Sequence, residues 1–406
     1  MRNLTGTKLT DAIGTLGRSH PALLAMVLFV LGFLVSLPFN PQTWTNYFVQ
    51  PTRNFDLNFY LNIAERGYDD PATPAFYPLW PMILSVVHPL IPKNYTVQSS
   101  HLLSLAMFFC SLSVVWKLIS RMTSQKTATW AVLILALNPN SVFHGLAYPE
   151  SLFCLLSAIF LLSTQSFLAS PTPKHLAFIF ASATLMAATR PVLLQLTAAS
   201  SLTVAILAIL PSSKTEFTQK RFAILTWLVV CVAAFILAYI PFGLHCLIKF
   251  GNFFQPFTAQ SYWKRVFGLN WSLFVNPETV GGSDNVLVWD LQAFYLPTLF
   301  LLLLLYKTAG TTSKQAQASF SVRFITILCL LIAAAHSGIA FLSYPVFMSL
   351  GRHVFATPFF IIGAAVVIHQ FSTQNTKQKI FAFYTVISAV YFIHFWTRFG
   401  RSAWLG

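Results

Sequence analysis

Apolar runs long enough to cross a bilayer recur from one end of this chain to the other, and no polar block between them is large enough to form a soluble domain. A bilayer core asks for about 20 apolar residues per helix. Such runs fall near 21–38, 98–119, 128–144, 150–168, 176–190, 191–210, 222–247, 286–306, 323–342, 353–370 and 380–396. The expected fold is therefore all-α: a polytopic membrane protein of about eleven transmembrane helices, forming a single domain over 1–406. Charge agrees, since 9% of the residues are charged and 56% are hydrophobic, against roughly 25% charged in soluble proteins. The runs 176–190 and 191–210 are separated only by Arg190 and Pro191. Proline removes a backbone donor and restricts the residue before it, so a bend is expected there.

The net charge of +15 does not point to nucleic acid. The cations sit singly in short loops and form no face or tail that could track phosphates. They orient the chain instead. With the N-terminus inside, the outer side holds ten of the twenty-five Lys and Arg residues. The acids divide more sharply. Asp11 and Glu216 fall inside, and the other eight of the ten fall on or near the outer face. Acids contribute little to insertion, so this asymmetry suggests a polar site on the outer face. The inner loops contain neither GxxxxGK[ST] nor GxGxxG, which argues against an ATP-driven transporter or a recognisable nucleotide-sugar site. The five cysteines lie in apolar runs with no CxxC and no His/Cys cluster, and read as small core residues. No metal and no cofactor is expected. The first run ends without a small-residue cleavage site, so no cleaved leader is expected either.

The outer-face polarity is densest just after the first run. Arg53–Pro81 holds Asp56, Glu65, Asp69 and Asp70 together with two arginines, within a first outer loop at 41–97. Tyr77–Pro92 follows; it is apolar but short, with four prolines. Counting it as a span would move the basic loop 120–127 outside, so it reads as a helix lying in the outer interface. Its Tyr77 and Trp80 suit that depth. A second large outer loop runs over 248–285, and short ones over 139–150, around Arg190 and over 343–353.

Several of these segments resemble the PIG-V family of membrane mannosyltransferases. The family's first loop follows the pattern WD-x-x-x-[YF]-x-x-I-A-x-x-G-Y and then AF[FY]P-x-[FYW]P; here the chain has FDLNFYLNIAERGY (55–68) and AFYPLWP (75–81), with Phe55 in place of the more usual Trp. NPNSVFHGLAYPESLF (138–153) is similar to the family's NP-x-S…ES-L-F segment, departing at Pro149. ATRP (188–191), FGNFFQPFTAQSYWKR (250–265), MSLGRHVFATPFF (348–360) and the aromatic end FWTRFGRSAWLG (395–406) resemble further segments in order. The resemblance implies a GT-C-like fold, interface helices in the first outer loop and a polyprenyl-phosphate sugar donor used on the non-cytosolic face. It also implies an acidic residue of that loop in the chemistry.

That chemistry needs a base for the acceptor hydroxyl, cations for the departing phosphate and an apolar groove for the isoprenoid. On spacing alone, Asp56 is equally a helix N-cap or a base; the resemblance favours the base. Asp56 and Tyr60, at i and i+4, share a helix face, with Phe55, Phe59 and Ile63 expected toward lipid. A carboxylate held near the low-dielectric membrane is expected to have a raised pKa. Arg190 and Arg352 adjoin apolar spans, where an unpaired guanidinium is costly without an anionic partner; they are the expected phosphate ligands, assisted by His353, Lys264 and Arg265. Lipid-headgroup contact is the other reading of the last two. Tyr60, Tyr148, Glu150, Asp69 and Asp70 are expected to shape the site or touch the acceptor, with turn formation the simpler reading of Asp69 and Asp70 and helix capping an equal one for Glu150. His144 reads as an ordinary interface residue. Asp290, inside a span, is expected either to partner a cation or to join the site.

The implied partners are a polyprenyl-phosphate sugar, a glycolipid or lipid-linked acceptor and membrane lipids, with a membrane-protein partner an open alternative. A flippase of lipid-linked glycans and a non-catalytic scaffold are the competing functions. The short loops favour a bacterial plasma membrane. Sequons at Asn94 and Asn270 keep the endoplasmic reticulum as the alternative.

Overall fold

The computed structural model describes residues 20–49, 56–211, 213–263, 266–275, 284–310, 319–344 and 349–403. Helices dominate: α1 (Pro21–Ser36), α2 (Asp56–Arg66), α3 (Leu79–Val87), α4 (Thr96–Met122), α5 (Gln125–Leu137), α6 (Glu150–Ala169), α7 (Pro173–Thr189), α8 (Leu193–Ile209), α9 (Lys214–Phe250), α10 (Asp284–Gly310), α11 (Phe320–Phe341), α12 (Leu350–Phe355), α13 (Pro358–Phe371) and α14 (Gln374–Gly400), with shorter turns between them. Among the described residues, six helical segments are long and apolar enough to cross a membrane, including most of α4, α6, α9, α10, α11 and α14. The apolar α1, α5, α8 and α13 are shorter. The chain is a multi-pass integral membrane protein.

Local sequence sets most boundaries. Pro173 occupies the first turn of α7, where its missing donor is harmless, and Thr172 caps that helix through the amide of His175. The break expected at Arg190–Pro191 is present: α7 stops at Thr189, Arg190 is extended (φ −148°, ψ 154°) and α8 starts at Leu193. Two expected spans differ in form. The run 128–144 ends as helix at Leu137 and turns back through a 3₁₀ turn at Pro139–Ser141 and a single helical turn at Val142–Gly145. Asn138 causes this, its side-chain amide donating to the carbonyl of Leu135 (3.0 Å) and thereby competing with helix continuation. The run 353–370 is broken at Ala356–Thr357, where Pro358 opens α13.

Without a hydrophobic drive between helices inside lipid, close packing holds the bundle together. Glycine makes the tightest approaches: a Cβ on Gly363 of α13 would lie 2.7 Å from the Leu330 side chain of α11. α6 packs between α4 and α7, α11 touches α8, α10 and α13, and α5 packs on α1, α13 and α14. The two large loops are joined to the bundle and to each other. The Gln255 amide donates to the Pro71 carbonyl (2.8 Å). β1 (Val266–Phe267) pairs antiparallel with β2 (Ser343–Tyr344) at the end of α11. The segment after Tyr77 forms α3 and a 3₁₀ turn at His88–Leu90, matching the short helix expected there.

Candidate active site

Four charged side chains meet at one end of the bundle, each from a different part of the chain. Asp56 opens α2, where a carboxylate in the first turn favours the helix dipole. Glu150 opens α6, Arg190 sits in the break between α7 and α8, and Arg352 lies in α12. Arg352 joins them. Its Nη1 donates to Asp56 Oδ2 and its Nε to Glu150 Oε1, both at 2.5 Å. Arg190 Nη1 lies 3.5 Å from the same Glu150 oxygen, and its Nη2 meets His353 Nδ1. Asp56 is the most open of the four, with a side chain 24% exposed against 8% or less for the others.

Aromatic faces line the cations. The Arg352 guanidinium lies over Phe143 (4.7 Å to the centroid) and Tyr148 (4.6 Å), and that of Arg190 over Phe153 (5.4 Å). Tyr60 stands beside Tyr148, ring centroids 6.3 Å apart. Burial, then the Asp56 and Glu150 charges, hold the Tyr60 phenol well above its usual range, and burial and Asp56 do the same for Tyr148. Both are neutral hydroxyls, able to donate or accept but not to act as anions. Burial works against the charge of Arg352, yet Glu150 and Asp56 outweigh it and push its pKa up. Burial lowers that of Arg190, which Glu150 only partly offsets and Arg352 worsens. The cluster is asymmetric: Arg352 is saturated with carboxylates, whereas among the described residues Arg190 Nη1, 3.5 Å from Glu150 Oε1, and Glu150 Oε2 are buried without a hydrogen bond.

Several expectations change on this geometry. Arg190 and Arg352 are not unpaired guanidiniums, because Glu150 lies between them and Asp56 takes the free edge of Arg352. Phe59 and Ile63 do not face lipid. Phe59 stacks on Phe76 (4.8 Å) and Ile63 is buried, because α2 is covered by the segment that follows it. Asp56 is not an isolated carboxylate at a lipid boundary, since it is partly exposed and ion-paired. His144 is buried rather than interfacial, stacked on Phe108 (3.8 Å) with Nδ1 on the Ser151 hydroxyl (3.1 Å). Asp290 neither partners a cation among the described residues nor enters the cluster; it accepts the backbone N–H of Gly351 (2.6 Å). Asp69 and Asp70 lie in an exposed turn, where Asp70 accepts the Ala72 amide (2.8 Å), and no contact joins them to the cluster among the described residues. Lys264 and Arg265 lie outside the described residues. Phe143 and Phe153 were not singled out from sequence, although both belong to the segment 138–153 that also supplies Tyr148 and Glu150. Among the described residues no three His, Cys, Asp or Glu side chains gather to hold a metal.

A cavity of about 620 Å³ with mostly apolar walls lies between α2, α3, α7 and α9. Ile63 and Tyr68 line it from the α2 side, Leu79 and Met82 from α3, Ala188 from α7 and Phe242 from α9. Ala188 is two residues from Arg190, and Ile63 is two helical turns along α2 from Asp56.

Compared with known proteins, residues 21–386 match the sequence model of the family described as mannosyltransferase (PIG-V). GPI mannosyltransferase 2 of Drosophila pseudoobscura pseudoobscura is 32% identical over 114 residues, which is 26% of this chain and 25% of that protein. The Drosophila melanogaster protein of the same name matches to the same extent. The aligned part thus spans about a quarter of the length of these curated relatives. Among solved structures, the Archaeoglobus fulgidus oligosaccharyltransferase tethered with an acceptor peptide is similar at a TM-score of 0.48 and 12% identity, over 96% of this chain and 56% of that one.

Proposed function

The chain belongs to the PIG-V mannosyltransferase family, and from that premise we propose that it moves mannose, or a similar hexose, from a polyprenyl-phosphate donor to a lipid-linked or glycolipid acceptor. The transfer takes place on the non-cytosolic face, and the short loops suit a bacterial plasma membrane. The acceptor hydroxyl oxygen attacks the anomeric carbon while the bond from that carbon to the phosphate oxygen breaks, inverting the centre. Asp56 takes the hydroxyl proton. The polyprenyl phosphate leaves with the electron pair, its charge held by Arg190 and Arg352 with His353 beside them.

The observation that supports this most is the joint placement of Asp56, the most open carboxylate of the cluster, with two arginines at one end of the bundle. The apolar walls of the cavity suit an isoprenoid, and its lining includes Ala188, two residues before Arg190. Arg190 Nη1 is buried 3.5 Å from Glu150 Oε1 and makes no hydrogen bond among the described residues, which leaves it donor capacity for a phosphate oxygen. Positioned cations at a departing phosphate are often the largest catalytic contribution, and a general base adds ~10²–10⁴-fold. Lys264 and Arg265 would meet the same phosphate or the lipid headgroups around it. Tyr60, Tyr148 and the unpartnered Glu150 Oε2 are left to position sugar hydroxyls.

Transfer of labelled mannose from polyprenyl-phosphate mannose, measured in membranes with the wild type and with Asp56→Asn, tests the proposal. Asp56→Asn is expected to insert normally and to lose at least ~10²-fold in rate. Full transfer by a normally inserted Asp56→Asn protein would remove Asp56 as the base.

A further inference from the structure

Asp290 is an acid for which the proposed chemistry has no use. It lies near the start of α10, 3% exposed, and an unpaired carboxylate at such a position is expensive to keep. Among the described residues its one hydrogen bond comes from the Gly351 amide, at 2.6 Å. Gly351 immediately precedes Arg352, and α12 is entered through Ser349 at φ +59°, a left-handed conformation unfavourable for a residue with a Cβ. Such a conformation persists where the surroundings over-determine it. Two residues on, a Cβ on Gly351 would lie 3.0 Å from Asn140 Nδ2 and 3.1 Å from Asp290 Oδ1, so two side chains from different elements close on the start of α12. At the other end of α12, Asn138 Nδ2 donates to the Phe355 carbonyl at 3.2 Å. The six-residue helix is held at both ends from outside itself, with Arg352 between.

We propose that Asp290 is a positioning residue that, through the Gly351 amide, fixes α12 where Arg352 reaches Asp56 and Glu150 together. The catalytic consequence rests on the function proposed above, whereas the clamp can be measured without substrate.

The test uses the full chain in lipid nanodiscs, with hydrogen exchange over peptides covering 349–355 and the mannose-transfer assay side by side. Asp290→Leu is expected to speed exchange in α12 about tenfold or more. It should lower kcat/KM for the donor by about 10²-fold with the acceptor KM unchanged. Asp290→Asn keeps an acceptor oxygen and is expected to restore both readouts to near wild type, a rescue that simple loss of packing would not show. Gly351→Ala leaves the carboxylate in place but crowds the joint, and should move both readouts in the same direction as the leucine variant. Wild-type exchange in Asp290→Leu, or an Asn variant as damaged as the Leu one, overturns the proposal. If the leucine variant does not accumulate, unchanged exchange in Gly351→Ala overturns it equally. If the wild type transfers nothing from this donor, the proposed function falls while the exchange data still decide the clamp.

Discussion

The molecule has buried arginines at both ends of α11, and they are paired in different ways. At the start of the helix, Arg323 (4% exposed) pairs with Glu216 of α9, whose side chain is 45% exposed. Toward the other end, where His353 stacks near His336 (6.2 Å between ring centroids), roughly 20 Å along the helix from Arg323, Arg352 and Arg190 share Glu150, which is fully buried. The first pair lets water screen one partner. The second withdraws two cations and an anion from water, a desolvation penalty that mutual attraction often fails to recover. A bundle needing only a tie between helices could use the first arrangement or apolar contact. Retaining the second is more consistent with a task for those charges, and Arg190 Nη1, 3.5 Å from Glu150 and without a hydrogen bond among the described residues, has donor capacity left over.

The largest expected effect comes from breaking the shared anchor. Glu150→Ala leaves two buried guanidiniums without their common carboxylate. Removing one partner of a buried pair typically costs 3–5 kcal/mol. The thermal midpoint in detergent should fall sharply, with much of the protein lost from the membrane. A Glu150→Ala protein with wild-type midpoint would mean that Asp56 and solvent suffice for both arginines.

Arg352→Lys sharpens the comparison by keeping the charge and removing the fork. Arg352 reaches two carboxylates through Nε and Nη1, and a lysine ammonium is a point charge that cannot span both in that geometry. Transfer is expected to fall by about 10²–10³-fold, the size seen when one positioned donor is lost, while accumulation in the membrane changes little. Activity near wild type would reduce Arg352 to a charge.

These expectations differ in how far sequence alone supports them. The helical bundle was largely readable, because membrane-length apolar runs admit few other structures, and the break at Arg190 followed from Pro191. Asp56, Glu150, Arg190 and Arg352 could each be selected as costly charges near span ends. Their pairing could not. Asp56 and Glu150 are 296 and 202 residues from Arg352, and no periodicity along one helix reports which distant loop faces it. That is why the arginines read as partners of a phosphate rather than of Glu150 and Asp56, and why Asp290, bonded to a backbone amide, read as a cation's partner or a member of the site. The inward turn at Asn138 was only partly legible: the run is mostly apolar up to Leu137 and Pro139 marks a break, but the Asn138 amide on the Leu135 carbonyl is visible only in the structure.

The smallest effect belongs to the other end of α11 and serves as the control. Glu216→Gln keeps an amide oxygen that can still accept from the buried Arg323, at a position nearly half exposed, so the loss is expected to be well below the about 3–5 kcal/mol of a fully buried pair that loses a partner. Transfer rate should be unchanged and the thermal midpoint should move by at most a few degrees. The pair lies far from Arg352, so its removal should add to that of Arg352→Lys without coupling. A double variant whose transfer rate departs from the sum of the two effects would mean that α11 transmits charge rearrangement along its length. The two ends would then be one device, and the contrast between a structural tie and a working site would fail.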